Sequence, residues 1–225
     1  MLSGIVLAAG RGARFGGGIP KQYRELAGRR VLDWSLEAAR RSCDHVVLVV
    51  GPERPPREEH VPDVVVTGGV ERWESVRAGL AAVPAGSEMI VVHDGARPLA
   101  TSRLFAAVTA EVRGGADGAV PGISVVDTIK EVDAGIVRRT LDRSRLVAVQ
   151  TPQAFGAEVL RHAYRRQEAG TDDASLVERA GGRVVVVEGE IDNLKITHAG
   201  DIERAMRVLA ARRARASTPL GPPTG

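Results

Sequence analysis

Short apolar runs alternate with amphipathic segments along most of the chain. The runs that have the length and β-branched content of buried strands are residues 4–9, 45–50, 63–66 and 89–92. The segments with apolar residues at helical spacing are residues 31–42, 71–83 and 101–113. This alternation predicts an α/β fold with a Rossmann-like, mostly parallel sheet flanked by helices.

The pattern changes between residues 123 and 149. Two extended segments, 123–130 and 136–141, flank Asp133-Ala134-Gly135, where the glycine permits the positive φ of a tight turn. We therefore predict a protruding β-hairpin arm. An isolated hairpin is marginal in water, so the arm packs either on a second subunit, as a dimerisation arm, or on its own core; the pattern leaves both open.

The remaining pattern returns to helices and one strand. Helices are predicted at residues 157–167, 173–180 and 199–211, with a strand at 184–187. Together these elements predict a single domain over residues 1–213. The tail, 214–225, is rich in proline and glycine near its end, and we expect it to be disordered.

Composition narrows the possible classes of protein. The chain has 225 residues, of which 44% are hydrophobic and 26% charged, the balance of an ordinary soluble protein. Its apolar runs are too short to cross a bilayer and its start lacks a signal-peptide pattern, so we expect a cytoplasmic protein with no membrane contact. The single cysteine, Cys43, excludes an internal disulfide and a multi-cysteine metal site.

The net charge argues against a nucleic-acid partner. A formal charge of +3 is small, and the arginines between residues 204 and 215 fit the solvated last turns of a helix better than a polyanion site.

A glycine-rich loop follows the first predicted strand. Gly10 and Gly12 leave backbone N–H groups free to turn toward an anion, and Arg14 and Lys21 add two cations nearby. Phe15 replaces the third glycine of a dinucleotide fingerprint, and Lys21 lies in Pro-Lys-Gln rather than the Gly-Lys-Ser/Thr of a P-loop. The loop favours a nucleoside triphosphate site, with a flexible surface connection as the alternative.

Polar residues also follow other predicted strands. Asp94 comes directly after the strand at residues 89–92, where a carboxylate suits Mg²⁺ held together with substrate phosphates. Arg97 is placed to contact a second anionic group. Taken alone, Asp94 as a turn-former and Arg97 as a surface cation are reasonable alternatives.

Four further residues carry weaker signals. Ser75, near the start of a predicted helix, is either a hydrogen-bonding partner for a base or ribose or a bystander on the first turn. Lys195 lies between apolar residues near the start of the last helix, so its ammonium either meets an anion or extends to solvent. Thr171 and Asp172 are polar groups before a helix, and we favour Asp172 as its N-cap.

These groups provide several cations, one Mg²⁺ candidate and no evident nucleophile–base pair. Such a set fits displacement at phosphorus by an incoming phosphate, which is largely ionised near neutral pH and needs no general base. Catalysis would then consist of positioning and charge stabilisation.

At this point the sequence resembles the 2-C-methyl-D-erythritol 4-phosphate cytidylyltransferases of the non-mevalonate isoprenoid pathway. The resemblance covers about residues 3–209 and rests on nine ordered motifs. They are Ala8-Ala9-Gly10-Arg11-Gly12-Ala13-Arg14, Pro20-Lys21-Gln22, residues 68–75, residues 93–98, Asp127-Thr128-Ile129-Lys130, Asp142-Arg143, Gln150-Thr151-Pro152-Gln153, Thr171-Asp172 and Asp192-Asn193-Leu194-Lys195.

The resemblance implies a cytoplasmic, homodimeric nucleotidyltransferase of isoprene biosynthesis that requires Mg²⁺, with other divalent cations as alternatives. It would transfer CMP from CTP to 2-C-methyl-D-erythritol 4-phosphate, giving 4-diphosphocytidyl-2-C-methyl-D-erythritol and pyrophosphate, by in-line attack of the substrate phosphate on the α-phosphorus.

The resemblance also implies a role for each matching residue. The catalytic residues would be Arg14, Lys21, Arg143 and Lys195. The nucleotide would be held by Ala8, Ala9, Gly10, Gly12, Gly69, Ser75, Asp94 and Gly95, with Asp94 also the metal ligand. The polyol substrate would contact Arg97, Thr128, Arg143, Thr171 and Asp172, where Thr128 and Arg143 reach from the arm into the neighbouring subunit's site. Val70 departs from the family, whose members often carry an acidic residue there.

Two other functions stay open. One is a cytidylyltransferase for another polyol phosphate such as ribitol 5-phosphate, because that family shares the glycine loop and Pro-Lys-Gln. The other is a non-catalytic nucleotide-binding regulator built on the same sheet.

Overall fold

A mostly parallel sheet organises the chain, whose computed structural model describes residues 1–10, 19–52, 59–165 and 169–217. The strands are β1 (Leu2–Ala8), β2 (Glu25–Leu26), β3 (Arg29–Arg30), β4 (His45–Val50), β5 (Val64–Thr67), β6 (Met89–Asp94), β7 (Gly118–Ser124), β8 (Lys130–Asp133), β9 (Ile136–Thr140), β10 (Val147–Val149), β11 (Gln153–Gly156) and β12 (Val184–Glu188). The helices are α1 (Val31–Ser42), α2 (Arg72–Ala82), α3 (Ser102–Arg113), α4 (Ala157–Tyr164), α5 (Asp173–Arg179) and α6 (Gly200–Ser217).

The main sheet has eight strands, and two of them run against the rest. From one edge the order is β5, β4, β1, β6, β11 and β7, and β12 lies parallel to β7. β11 is antiparallel to both of its neighbours, and β10 is antiparallel to the end of β7. The prediction of a Rossmann-like, mostly parallel sheet is confirmed, although β10 and β11 were not predicted as sheet strands.

Helices cover both faces of this sheet. Because side chains alternate along a strand, Ile5 packs with α2, α4 and α5 on one face, and Val6 packs with α1 and α3 on the other. α6 packs in a third cluster, where Ala205 and Leu209 lie with Leu26, Leu99 and Ile196. These contacts bury the parallel strands on both sides, as their continuous apolar runs require.

The carboxyl ends of β1, β5 and β6 meet at one edge of the sheet. β1 lies between β4 and β6, with Leu7 opposite Asp94 and Ala8 opposite Val50. Ligands of open α/β sheets bind outside this edge. The loops that follow these strands are therefore where a site is expected.

A separate two-stranded hairpin, β8 and β9, interrupts the second half of the chain. Ala134 and Gly135, at φ 46° and 80°, form its tight turn, and every residue from 131 to 140 is exposed. The predicted hairpin is confirmed, but its first strand is Lys130–Asp133 and not residues 123–130, because Ile123 and Ser124 belong to β7 of the main sheet. The described part of the chain supplies no core for it to pack on, and its role in dimerisation stays a prediction.

The closing helix runs four residues past the predicted end of the domain at residue 213, to Ser217. The rest of the predicted tail, 218–225, lies outside the described residues. Within the described residues, no helix combines the length and the apolar character needed to cross a bilayer.

Candidate active site

A cleft opens at the carboxyl edge of the sheet. The described residues that line it are Leu7, Ala8, Ala9, Gly10, Lys21, Gln22, Gly69, Val70, Glu71, Arg72, Ser75, Asp94, Ala96 and Lys195. Eight residues predicted from the sequence thus lie together: Ala8, Ala9, Gly10, Lys21, Gly69, Ser75, Asp94 and Lys195. Two others, Gly12 and Arg14, lie outside the described residues.

One buried side chain fixes the start of the glycine loop. Gln22 is 4% exposed, and its Nε2 donates to the carbonyls of Ala8, at 2.7 Å, and Gly10, at 2.9 Å. The adjacent Lys21 is thereby held beside the end of β1. The Pro-Lys-Gln motif thus combines a cation that faces the cleft with an amide that anchors it.

The opposite wall is the start of α2, where the backbone comes unusually close to its neighbours. A Cβ on Gly68 would lie 2.5 Å from Ser75 Oγ and 2.9 Å from Ala9 Cβ. A Cβ on Gly69 would lie 2.3 Å from Glu74 Cβ. Only glycine fits at both positions, so this wall presents backbone groups to the cleft.

Ser75 lies on the first turns of α2 and is 3% exposed. Its hydroxyl donates to the carbonyl of Glu71 at 3.3 Å, and Glu74 caps the helix by accepting from the Glu71 N–H at 3.0 Å. The Ser75 oxygen still has lone pairs to accept from a ligand. A nucleotide-binding role for Ser75 stays a prediction.

Asp94 lies at the base of the cleft and is surrounded by three cations. Lys195 Nζ lies 2.7 Å from Oδ2, Arg97 Nε lies 3.9 Å from Oδ2, and Arg72 Nε lies 4.0 Å from Oδ1. Burial alone would raise the pKa of the Asp94 carboxyl, but Lys195, then Arg72, hold it well below its ordinary value. Arg72 is also bound by the carboxylate of Asp173, so the three cations face two carboxylates, and the remaining positive charge favours an anionic ligand.

A chain of hydrogen bonds holds the backbone on either side of Asp94. The Asp94 N–H donates to Thr151 Oγ1 at 3.0 Å, and Thr151 Oγ1 lies 3.2 Å from His93 Nδ1. His93 Nε2 lies 3.2 Å from the Arg97 carbonyl, which can only accept, so the proton is on Nε2. Burial lowers the pKa of His93 to about 4, which keeps the ring neutral and in a structural role.

Lys195 reaches Asp94 from an extended segment before α6, which begins only at Gly200. The Ile196 N–H donates to the Ala96 carbonyl at 2.8 Å, so the segment runs beside the loop that carries Asp94. Asn193, fully buried, donates to the Thr151 carbonyl at 2.9 Å. Of the two alternatives for Lys195, the structure shows the one in which its ammonium meets an anion.

Arg72 belongs to this cleft, and the sequence did not single it out. Its guanidinium forms two bonds to Asp173, with Nη1 3.1 Å from Oδ1 and Nη2 2.6 Å from Oδ2. Asp173 follows Arg72 by 101 positions in the chain, so no local pattern connects them. Burial alone would lower the pKa of Arg72, but the Asp173 carboxylate outweighs it and raises the pKa above its ordinary value.

The residues predicted for the polyol substrate lie near the cleft without lining it. Arg97 is largely buried and donates through Nη1 to the Asn193 carbonyl at 2.8 Å. Thr171 is exposed, and Asp172 caps α5 by accepting from the Ser175 N–H at 3.0 Å, so the favoured N-cap interpretation is confirmed. Gly95, predicted for the nucleotide, does not line the cleft either, and its N–H donates to the Leu7 carbonyl at 2.9 Å. Their contacts with ligands stay predictions.

The arm residues are away from the cleft of their own chain. Thr128 and Arg143 are both exposed, and Arg143 donates to the Val126 carbonyl within the arm. Neither lines the cleft described above. Their role toward another subunit stays a prediction.

A metal at this site would have few protein ligands. No group of three or more His, Cys, Asp or Glu side chains that could hold a metal occurs among the described residues. The ionised carboxylate of Asp94 is therefore the fitting ligand, since Mg²⁺ is commonly held by one or two carboxylates together with substrate phosphates.

Comparison with known proteins gives consistent matches over nearly the whole chain. Residues 2–211 match the family model described as 2-C-methyl-D-erythritol 4-phosphate cytidylyltransferase. Curated proteins of that name from Cereibacter sphaeroides and Geobacillus kaustophilus are 43% and 42% identical, over 92% and 93% of this chain and 96% and 97% of theirs. The crystal structure of the Thermus thermophilus enzyme of the same name matches with a TM-score of 0.78 and 32% identity, over 93% of this chain and 100% of that one.

Proposed function

Because the chain belongs to the 2-C-methyl-D-erythritol 4-phosphate cytidylyltransferase family, we propose that it catalyses the reaction of that name. It transfers CMP from CTP to 2-C-methyl-D-erythritol 4-phosphate and releases pyrophosphate. No contact in the described residues favours ribitol 5-phosphate or a purely regulatory role.

The observation that carries this proposal is the charge arrangement of the cleft. Lys195, Arg97 and Arg72 surround Asp94, and Lys21 also lines the cleft. In the same cleft, backbone groups of Ala8 to Gly10 and Gly69 form walls on which a base and a ribose can be held. A site that is cationic at its base and has a backbone-lined wall suits a nucleoside triphosphate.

The reaction needs positioning more than proton transfer. An oxygen of the polyol phosphate forms a bond to the α-phosphorus of CTP, the bond from that phosphorus to the bridging oxygen breaks, and pyrophosphate leaves with its electron pair. The attacking phosphate is already ionised, so no general base is required. Lys21, Lys195 and Arg14 stabilise the charge that builds up on the phosphates.

We further propose that Mg²⁺ takes part and that Asp94 is its protein ligand. The metal would neutralise charge on the triphosphate oxygens when bound. Lys195 pairs with Oδ2 of Asp94, whereas Oδ1 has, among the described residues, only the 4.0 Å contact with Nε of Arg72. The metal and the Lys195 ammonium would then both contact the triphosphate.

The arm supports a homodimer in this proposal. Val132, Ile136 and Val137 are 55%, 62% and 53% exposed on the hairpin, and Val126 is 80% exposed at its base. Apolar side chains on a hairpin that has no core of its own fit burial against a second copy. Thr128 and Arg143 would then complete the partner's polyol phosphate site.

A pyrophosphate-release assay tests the function directly. CTP, UTP, ATP and GTP are each combined with methylerythritol phosphate, ribitol 5-phosphate or no acceptor, with and without Mg²⁺. We expect release only with CTP, methylerythritol phosphate and the metal together. A preference for ribitol 5-phosphate contradicts the assigned substrate, and CTP binding without release under any condition contradicts catalysis.

A further inference from the structure

An ion pair joins the first residues of two helices that are far apart in the sequence. Arg72 begins α2 and Asp173 begins α5, and the two are bound through both guanidinium Nη atoms. Asp173 is fully buried, and Tyr164, at the end of α4, donates its hydroxyl to Asp173 Oδ1. Two parallel hydrogen bonds from the planar guanidinium fix both the distance and the relative orientation of Arg72 and Asp173.

The free edge of the same guanidinium faces the reaction centre. Nε of Arg72 lies 4.0 Å from Oδ1 of Asp94, whereas Lys195 contacts the other oxygen, Oδ2. Arg72 therefore stands between two carboxylates, one that holds it and one that it faces. A shift of the Asp173 contact would move the charge that faces Asp94.

The other end of the pair anchors the segment predicted to bind the polyol. Asp173 directly follows Thr171 and Asp172, and Asp172 accepts from Gln153 Nε2 at 3.0 Å. Gln153 pairs with Val92 on β6, two residues before Asp94. The segment is thus tied to the edge of the sheet twice, by Gln153 and by Arg72.

Packing alone already explains why α5 stays in place. Ala174, Leu176 and Val177 of α5 are buried in the core. A buried ion pair is a weak device for stability, because desolvation offsets much of the attraction and an apolar pair often serves as well. The charged pair is better explained by the orientation that it gives to Arg72 beside Asp94.

We propose that Arg72 is a positioning residue for the transfer reaction. Clamped on Asp173, it sets the Asp94 carboxylate relative to the Thr171–Asp172 segment, and so the nucleotide relative to the incoming phosphate. The inference rests on the proposed function, in which Asp94 serves the nucleotide and Thr171–Asp172 the polyol.

The first test is Arg72→Lys, measured as kcat, KM for each substrate and CTP affinity by calorimetry. Lysine keeps the charge but cannot give two bonds to Asp173 while a third nitrogen faces Asp94. We expect kcat to fall at least ~10-fold, because misplaced reactants lose the advantage of orientation. CTP affinity should change less than ~3-fold, since the other walls of the cleft remain.

The second test is Tyr164→Phe, which keeps the ring in the core and does not touch the cleft. This change removes the hydroxyl that donates to Asp173, so the carboxylate holds Arg72 less firmly. We expect kcat to fall ~3-fold with unchanged CTP affinity. The double variant should be no slower than Arg72→Lys alone, because both changes act through Asp173. Arg77→Lys is the matched control on α2, since Arg77 is exposed over the Trp73 ring, and its kcat should equal that of the wild type.

Several results would overturn the proposal. A normal kcat together with a lower melting temperature for Arg72→Lys would show that the ion pair only holds the two helices together. A tenfold loss of CTP affinity with normal kcat would make Arg72 a nucleotide contact. If the reductions in kcat of the two single variants multiply in the double variant, Arg72 and Tyr164 act independently and not through Asp173. If the wild type releases no pyrophosphate, the proposed function is refuted. The positioning role of Arg72 can then be tested separately, because a crystal structure of Arg72→Lys in which Asp94 has not moved would refute it.

Discussion

Lys21 is one of three lysines in the chain, and it faces the cleft from a segment held down by Gln22. Its neighbour's two hydrogen bonds, to the carbonyls of Ala8 and Gly10, hold this segment beside the end of β1. A charge that is already in place needs no rearrangement as the phosphates react.

We predict that Lys21→Ala lowers turnover by at least ~10²-fold and leaves the fold intact, because a charge contact made in the transition state is lost. Initial rates of pyrophosphate release and far-ultraviolet circular dichroism measure the two effects. Arg207→Ala, which removes a cation that is 77% exposed on α6, is the control and should retain full turnover. Near-normal rates for Lys21→Ala would remove Lys21 from its assigned role.

Cys43 gives a second prediction, about pH and reactivity. Burial raises the pKa of its thiol to about 12, so at pH 8 only ~10⁻⁴ of it is thiolate, the form that reacts. The native chain should therefore resist a disulfide reagent at pH 8, and its rate should rise about tenfold per pH unit up to pH 10. Fast labelling without denaturant would show that the thiol is open to solvent, and labelling in urea is the positive control.

At the residue scale, the sequence predicted side chains that carry charge in recognisable motifs. Asp94 and Lys195 were chosen this way, and they lie 2.7 Å apart. Gln22 and Arg72 were missed, although both lie in quoted motifs. Their importance depends on partners, the Ala8 carbonyl and Asp173, that only the fold brings near.

Among the elements, α2 shows the closest fit between sequence and site. Gly68 and Gly69 let the chain turn directly from β5 into the helix, against Ala9 and Val49. The helix therefore begins at the wall of the cleft, where Glu74 caps its first turn by accepting from the Glu71 N–H.

We predict that Gly68→Ala weakens CTP binding at least ~10-fold and lowers stability, because the new methyl would lie 2.9 Å or less from Ala9, Val49 and Ser75. Titration calorimetry and urea unfolding are the measurements. Gly86→Ala is the matched control, since a Cβ there meets nothing within 4 Å. Equal CTP affinity in the two variants would show that the residues around Gly68 can move to accept a methyl group without disturbing the nucleotide site.

Element prediction succeeded where a segment carries its own signal. α1 and β4 begin and end where their apolar patterns do, at Val31–Ser42 and His45–Val50. β11 was missed because Gln153–Gly156 is short, starts with a polar residue and follows a proline. Its position between β6 and β7 comes from long-range pairing, which no local pattern contains.

At the scale of the whole molecule, the arm decides whether one chain holds a complete site. If Arg143 serves the partner, a dimer of a Lys21→Ala chain with an Arg143→Ala chain contains one intact site and one doubly altered site. Neither variant alone contains an intact site.

We predict that an equal mixture of these two inactive variants, unfolded and refolded together, recovers about a quarter of wild-type turnover. Half of the dimers are mixed by random pairing, and each has one intact site of two. Light scattering should give about twice the 23.8 kDa of one chain. A mixture that stays inactive, or a monomer at working concentration, would place Arg143 outside the partner's site.

The two ends of the arm are neighbours in the sheet, because Ser124 at the end of β7 pairs with Val147 at the start of β10. The chain between these two residues therefore leaves the main sheet and returns to it at the same place, so the arm is an insertion between two paired strands. Mutation can therefore lengthen, shorten or exchange the insert without changing the register of any strand beneath the cleft. In the proposed dimer, any such change must keep Thr128 and Arg143, because both lie in the insert and would complete the partner's polyol phosphate site.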